Sequence, residues 1–291
     1  MLKKLIGISL LGAAVLLTSC GDNGSTASGT TPTSTAATSD AASKIEVVGS
    51  TSVSPLIEKM AAEYNKTDAN TKINIQAVGS SAGIKAAQDG TAQIGMSSRE
   101  LKDSEKAQLT ETKIAIDPIA VVTNPANGVE NLTKDQIIGI FKGEIKNWKE
   151  VGGNDAEINL VIREASSGTR GAFEELLGLE GENGTLVDEK NAAVMDATSG
   201  VIQTVKGNAN AIGYVSYSAV SDEIKALKVG GVEINDDNIA DKSYALQRPF
   251  VHAYLKNTDN ELVQAYLQFL QTDEAQNIMK KDKLIPQEFW K

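Results

Sequence analysis

From Ile45 onward, short runs rich in β-branched residues alternate with stretches of helical periodicity, and this alternation most constrains how the chain can fold. β-Branched side chains lose little on a pleated surface and crowd a helix turn, so the two patterns separate. Strands are predicted over residues 45–48, 73–78, 93–96, 114–122, 158–162 and 211–215. Helices are predicted over residues 55–65, 83–89, 104–109, 134–141, 170–177 and 260–270. A strand that returns through a helix lies parallel to its predecessor, so the expected class is α/β with parallel or mixed sheet. Thr133-x-x-Gln136 and Thr258-x-x-Glu261 read as capping boxes, and Ser54-Pro55 as an N-cap followed by Pro at the first helical position.

The alternating body is long enough for two cores rather than one. The Pro-containing strand segments at residues 117–122 and 248–251 are read as crossings between two lobes. Lobe I is then residues 44–122 plus 249–291, and lobe II residues 123–248.

The first twenty residues read as a secretory signal: Lys3 and Lys4, then an apolar run over residues 5–17 too short to span a bilayer comfortably. The run ends in Leu17-Thr18-Ser19-Cys20, which resembles the lipobox of bacterial lipoproteins. The resemblance implies lipidation at Cys20, and hence a protein held at the extracytoplasmic face of the cell membrane through its lipid anchor only. Residues 21–43, mostly Ser, Thr, Ala and Gly, lack core-forming periodicity and are read as a flexible tether.

The chain holds one Cys and one His. An internal disulfide is thereby impossible, a Cys/His metal site is not expected, and His252 is the single candidate partner for a catalytic nucleophile. Removing the signal takes away two of 28 basic residues and none of 38 acidic ones, moving the net charge from -10 to -12. Such a surface repels nucleic acid, and any anion must be held by local donors.

Three strand-to-helix turns are rich in small donors. They are Gly49-Ser50-Thr51-Ser52-Val53-Ser54-Pro55, Gly79-Ser80-Ser81-Ala82-Gly83, and Arg163-Glu164-Ala165-Ser166-Ser167-Gly168-Thr169-Arg170. A helix start presents unpaired N–H groups and partial positive charge, Gly admits a close ligand, and hydroxyls add donors. Converging, three such turns would cage an anion, with Arg163 pairing an oxyanion bidentately. Taken singly, each cluster also reads as an ordinary N-cap and loop. None is a nucleotide motif.

With Gly95-Met96-Ser97-Ser98-Arg99, these segments resemble the phosphate-binding protein of the high-affinity phosphate ABC importer, and the likeness extends through the body, including residues 140–148. The resemblance implies a two-lobed periplasmic-binding-protein type II fold with a hinge and an interlobe ligand cleft. It implies inorganic phosphate as ligand, ABC permease subunits as partners, no catalysis and no cofactor; a monomer is expected. Carried over by position, the phosphate ligands are Thr51, Ser52, Ser80, Ser98, Arg163, Ser167, Gly168 and Thr169. Ser98 departs from the family, where an Asp commonly stands to accept the proton of hydrogen phosphate. Ser accepts and donates but does not repel sulfate, so selectivity is less secure, and Arg99 is a candidate second positive charge.

The remaining conspicuous residues have plainer readings. His252 is expected to be structural, Trp148 and Trp290 packing anchors, and Glu164 either an orienter of Arg163 or a solvated acid. Other functions weighed are a binding protein for sulfate or molybdate, a Ser hydrolase using Ser167 or Ser52 with His252, and a surface adhesin. The hydrolase lacks a G-x-S-x-G elbow.

Overall fold

Strand β1 (Ser43–Gly49) turns Ile45, Val47 and Gly49 to the interior at every second position. It pairs in parallel with β2 (Thr71–Ala77) on one side and β3 (Ile94–Ser97) on the other. The two returns are helices α1 (Ser54–Thr67) and α2 (Ser80–Gln88), which bury Leu56, Ile57, Met60, Ile84 and Ala87. The computed structural model describes residues 43–286, so the signal and lipobox readings, the tether reading up to residue 42 and Trp290 lie outside the described residues, while Ser43, read as the tether's last residue, already opens β1.

The other principal strands are β4 (Leu109–Thr123), β5 (Asn159–Arg163), β6 (Ala192–Met195), β7 (Ala211–Ser216) and β8 (Gln247–Leu255). The main path of the sheet runs β2-β1-β3-β8-β4-β7-β5-β6. β8 lies antiparallel between β3 and β4, whereas β5 pairs in parallel with both β7 and β6. β4 serves both halves: residues from Leu109 to Pro118 face β8, and Ile119 to Thr123 face β7.

The cores follow that division. One gathers Ile45, Met60, Ile94, Ile114, Ala115, Phe250 and Tyr266. The other gathers Ile119, Val121, Phe141, Trp148, Ile162, Phe173, Tyr214 and Leu246. Membership changes between Ala115 and Ile119, and again between Leu246 and Phe250, so the chain passes between lobes twice, side by side. In the second lobe, helices α3 (Lys134–Phe141), α4 (Gly168–Leu177) and α5 (Thr198–Gly207) cover the sheet, while α6 (Glu261–Phe269) and α7 (Asp273–Lys281) complete the first. Trp148 anchors the second core as expected, with its indole N–H on the Asn210 carbonyl at 3.0 Å.

Several local expectations change. The Thr133–Gln136 capping box forms, Gln136 N–H donating to the Thr133 hydroxyl at 3.1 Å and Thr133 N–H to Gln136 Oε1 at 2.8 Å. Thr258, however, is not a cap. Asn260 Oδ1 accepts from Leu262 and Val263 N–H instead, because an Asx side chain reaches the first turn from the adjoining position. Ser54 lies inside α1 and donates to Glu58 at 2.9 Å, while the Ser50 hydroxyl takes the Ser52 and Val53 amides. The helix over 104–109 shrinks to one turn, Asp103–Lys106, because Leu109 already opens β4.

Candidate functional site

The three donor-rich turns meet, and a fourth joins them. Gly49 at φ 147° ends β1 against β3, where the Ser50 amide donates to the Met96 carbonyl at 2.9 Å. This seats Ser50 beneath Ser98. From there a continuous chain of hydroxyls crosses between the lobes. Ser50 Oγ donates to Ser98 Oγ at 3.0 Å, and Ser98 Oγ lies 3.2 Å from Ser80 Oγ and 3.4 Å from Thr169 Oγ1. Thr169 lies 2.8 Å from Ser52 Oγ, which lies 3.0 Å from Thr198 Oγ1. Thr198 is also 3.2 Å from Thr51 Oγ1 and takes Arg163 Nη1 at 3.2 Å.

Ser50, Thr51, Ser52, Ser80 and Ser98 come from the first lobe; Arg163, Thr169 and Thr198 come from the second. The seam is drawn tight by backbone as well, Ser81 N–H donating to the Ser166 carbonyl at 3.1 Å. All of these hydroxyls except that of Thr51 belong to buried residues, with Ser80 and Ser98 at 0 % exposure. Helices α1, α2, α4 and α5 point their N-termini here, adding four partial positive charges to one guanidinium. Chemically, such an arrangement can hold a small, multiply accepting anion by hydrogen bonding rather than by net charge.

Arg163 is fixed for this work. Glu164 takes Nε at 2.9 Å and Nη2 at 3.0 Å, leaving Nη1 turned to Thr198. Glu164 is thus the orienter of Arg163. The Arg163 amide donates to the Tyr214 hydroxyl at 3.2 Å, and Tyr214 stacks on Phe173 at 4.1 Å between centroids, so the strand end cannot drift. Burial pushes the Tyr214 phenol up, which keeps it protonated.

Each predicted residue has a definite place. Thr51, Ser52, Ser80, Ser98, Arg163 and Thr169 are brought together in the chain of contacts above. Gly168 faces the cluster from the start of α4, where a Cβ would collide with the Ser80 hydroxyl and approach Ser98 Oγ at 2.9 Å. Ser167 is adjacent, but its hydroxyl caps α4 by accepting from the Arg170 amide at 3.3 Å. It borders a cavity of about 600 Å³ that opens beside the cluster between Ser81, Arg99 and Arg170. Arg99 is not the second cation at the cluster. Its guanidinium sits bidentately on Glu105 at 2.8 Å, turned away from the chain of hydroxyls to an acid of its own lobe.

Thr198 and Ser50 were missed. Asp196-Ala197-Thr198-Ser199-Gly200 has the small-residue composition of the other three turns and follows a strand as they do, so the signal was present. Arg248 and Asp117 were also missed. They form a fully buried ion pair behind Ser98, Nη2 to Oδ2 at 2.8 Å, and no local pattern announces it. Burial pushes the Asp117 carboxyl up and the Arg248 guanidinium down, each resisted by the other's charge. His252 has neither ring nitrogen hydrogen-bonded, so no seryl hydroxyl is within its reach and the hydrolase arrangement is not formed. Among the described residues no group of His, Cys, Asp and Glu could hold a metal ion.

Two lobes with donors converging on their seam define a solute-binding protein, and the model of the PBP superfamily domain matches residues 31–274. The phosphate-binding protein PstS of Staphylococcus epidermidis is 32% identical over 296 residues, spanning 94% of this chain and 86% of that one. Bacillus subtilis PstS is 29% identical over 287 residues, spanning 97% and 93%. Among solved structures, a Clostridium perfringens phosphate ABC transporter substrate-binding protein with bound phosphate superposes with a TM-score of 0.79 at 43% identity, covering 84% of this chain and 99% of that one. A Vibrio cholerae ABC-type phosphate transport receptor gives a TM-score of 0.70 at 38% identity, covering 83% and 99%. The chain belongs to the PstS family of phosphate-binding proteins.

Proposed function

We propose that this protein is the extracytoplasmic receptor of a phosphate ABC importer, taking inorganic phosphate into the seam between its lobes and presenting it to the permease. It is a binding protein, not an enzyme. The observation that carries the reading is the run of hydroxyls from Ser50 to Thr198 ending on Arg163 Nη1, built from both lobes at four helix starts. Thr51, Ser52, Ser80, Ser98, Arg163, Gly168 and Thr169 supply donors, with Thr198 added and Ser167 holding the start of α4. A tetrahedral anion bridging both sides favours the closed form by its differential contacts, and the hinge is the pair of crossings at residues 117–119 and 246–248.

Micromolar affinity amounts to about -8 kcal/mol, within reach of a handful of charge-assisted hydrogen bonds after ordering costs. Calorimetry with phosphate, arsenate and sulfate side by side tests the assignment. Phosphate is expected to bind, and Arg163→Ala to weaken it by about 2–5 kcal/mol, the range for breaking a buried charge contact. Wild-type affinity in that variant removes the assignment. Sulfate is the second reading with an observation behind it, since the described cluster gathers hydroxyls where a carboxylate would discriminate.

Cys20 is the proposed lipidation site and the residues from 21 up to the start of β1 at Ser43 the tether, placing a monomeric body at the extracytoplasmic face of the cell membrane. Among the described residues no helix is long and apolar enough to cross a membrane. Cys20→Ser is expected to move the protein from the membrane fraction to the soluble one.

A further inference from the structure

Arg248 stands where the returning strand re-enters the first lobe, and the phosphate chemistry above does not use it. It is 3 % exposed and directly opposite Asp117 in the antiparallel ladder of β8 and β4. Its Nε and Nη2 reach Asp117 Oδ2 at 3.2 and 2.8 Å, and its Nη1 donates to the Ser98 carbonyl at 2.9 Å. Asp117 Oδ1 takes the hydroxyl of Ser216, the last residue of β7, at 2.5 Å. One planar fork therefore ties the two crossings to the backbone of Ser98, and the carboxylate extends the tie to the second lobe.

Ser98 is the branch point of the hydroxyl chain. Its side chain meets Ser50, Ser80 and Thr169, and its amide donates to Ser80 Oγ at 3.1 Å. Its carbonyl is the one backbone atom of this residue held from behind, and the holder is Arg248. A stabilising role alone is a poor account of the pair, because a fully buried ion pair is commonly matched or bettered by apolar residues of the same volume.

We propose that Arg248, held by Asp117, is a positioning residue of the anion site: it fixes Ser98 through its carbonyl and so sets the Ser98 hydroxyl against Ser80 on one side of the seam and Thr169 on the other. This rests on the phosphate reading. A lysine at 248 keeps the charge but has no rigid fork to hold Asp117 and the Ser98 carbonyl together. The Ser98 hydroxyl would then be misplaced, with the guanidinium of Arg163 untouched.

The test is a double-mutant cycle on the full chain, with inorganic phosphate as the probe in calorimetry and the melting temperature followed in parallel. Arg248→Lys is expected to weaken phosphate binding about tenfold, and Ser98→Ala about fivefold. Because the first acts through the second, the double variant is expected to lie within about twofold of the weaker single one. A purely structural role lowers the melting temperature and leaves the affinity of the folded protein unchanged; that result, or losses that simply multiply, overturns the proposal. Should Arg248→Lys not fold, Ser216→Ala enters the same cycle, and unchanged affinity there overturns it equally. Phosphate binding by wild type together with an unaffected Arg248→Lys removes the positioning role alone. If wild type takes no phosphate, both readings fall.

Discussion

Replacing His252 by Leu should flatten the dependence of stability on pH. His252 sits mid-strand in β8 at 0 % exposure, its ring 5.8 Å from that of Tyr266 and neither nitrogen paired. Burial pushes its imidazole down from 6.5 to about 3. The sign follows from which state takes the proton. Below about pH 6.5 the unfolded chain protonates this residue and the folded one does not, so stability present above that pH is lost as pH falls toward 3. Integrating between those two values gives a loss of about 2 kcal/mol at pH 5, rising toward about 4 at pH 3. Urea unfolding of wild type and His252→Leu at pH 7.5 and pH 5 reads this as a difference of differences, in which other titrating groups cancel. With a slope near 3 kcal/mol/M, the extra wild-type loss is about 0.7 M in midpoint. At pH 7.5 the variant should be at least as stable, because a buried N–H without a partner costs about 1–3 kcal/mol. Equal pH dependence in the two proteins would refute the reasoning, and so would a loss of phosphate affinity, since nothing ties this ring to the seam.

Other perturbations read other parts of the molecule. Thr198→Val removes the hydroxyl that joins Arg163 to Ser52 and should weaken phosphate binding by about 1–1.5 kcal/mol in calorimetry. Ser98→Asp sets a carboxylate among hydroxyls, where it accepts a proton from hydrogen phosphate and repels sulfate. A competition titration should show sulfate losing at least about tenfold relative to phosphate. Asn260→Ala should destabilise by about 1 kcal/mol in thermal unfolding, whereas Thr258→Ala should stay within about 0.5, because only the former caps α6.

The sequence made the alternation of strand and helix legible, and with it the α/β class and most positions on the seam. Those readings succeed because strand periodicity and the chemistry of helix starts are local. Gly49, Ser80 and Ser167 each advertise a turn within a few residues of themselves. Thr198 could have been read in the same way, because Asp196 to Gly200 repeats the pattern. The pair of Arg248 and Asp117 could not, since partners 131 residues apart are joined by sheet register alone. Arg99 shows the opposite error: a cation adjacent to a ligand loop invites a ligand role, until Glu105 is found closer. Helix α7 escaped because it buries only Ala275 and Met279, too thin a stripe to stand out from its charged neighbours.

The place of β8 has a consequence for how the molecule is made. An inner strand of the first lobe, between β3 and β4, comes from residues 247–255, after the whole second lobe has been threaded. During synthesis the second lobe can close its own core while the first waits with two unpaired strand edges, the kind of surface that recruits neighbouring chains. Capture of cargo therefore begins only once residues 247–255 have taken their place, and until then a half-built sheet has to be sheltered from neighbouring chains.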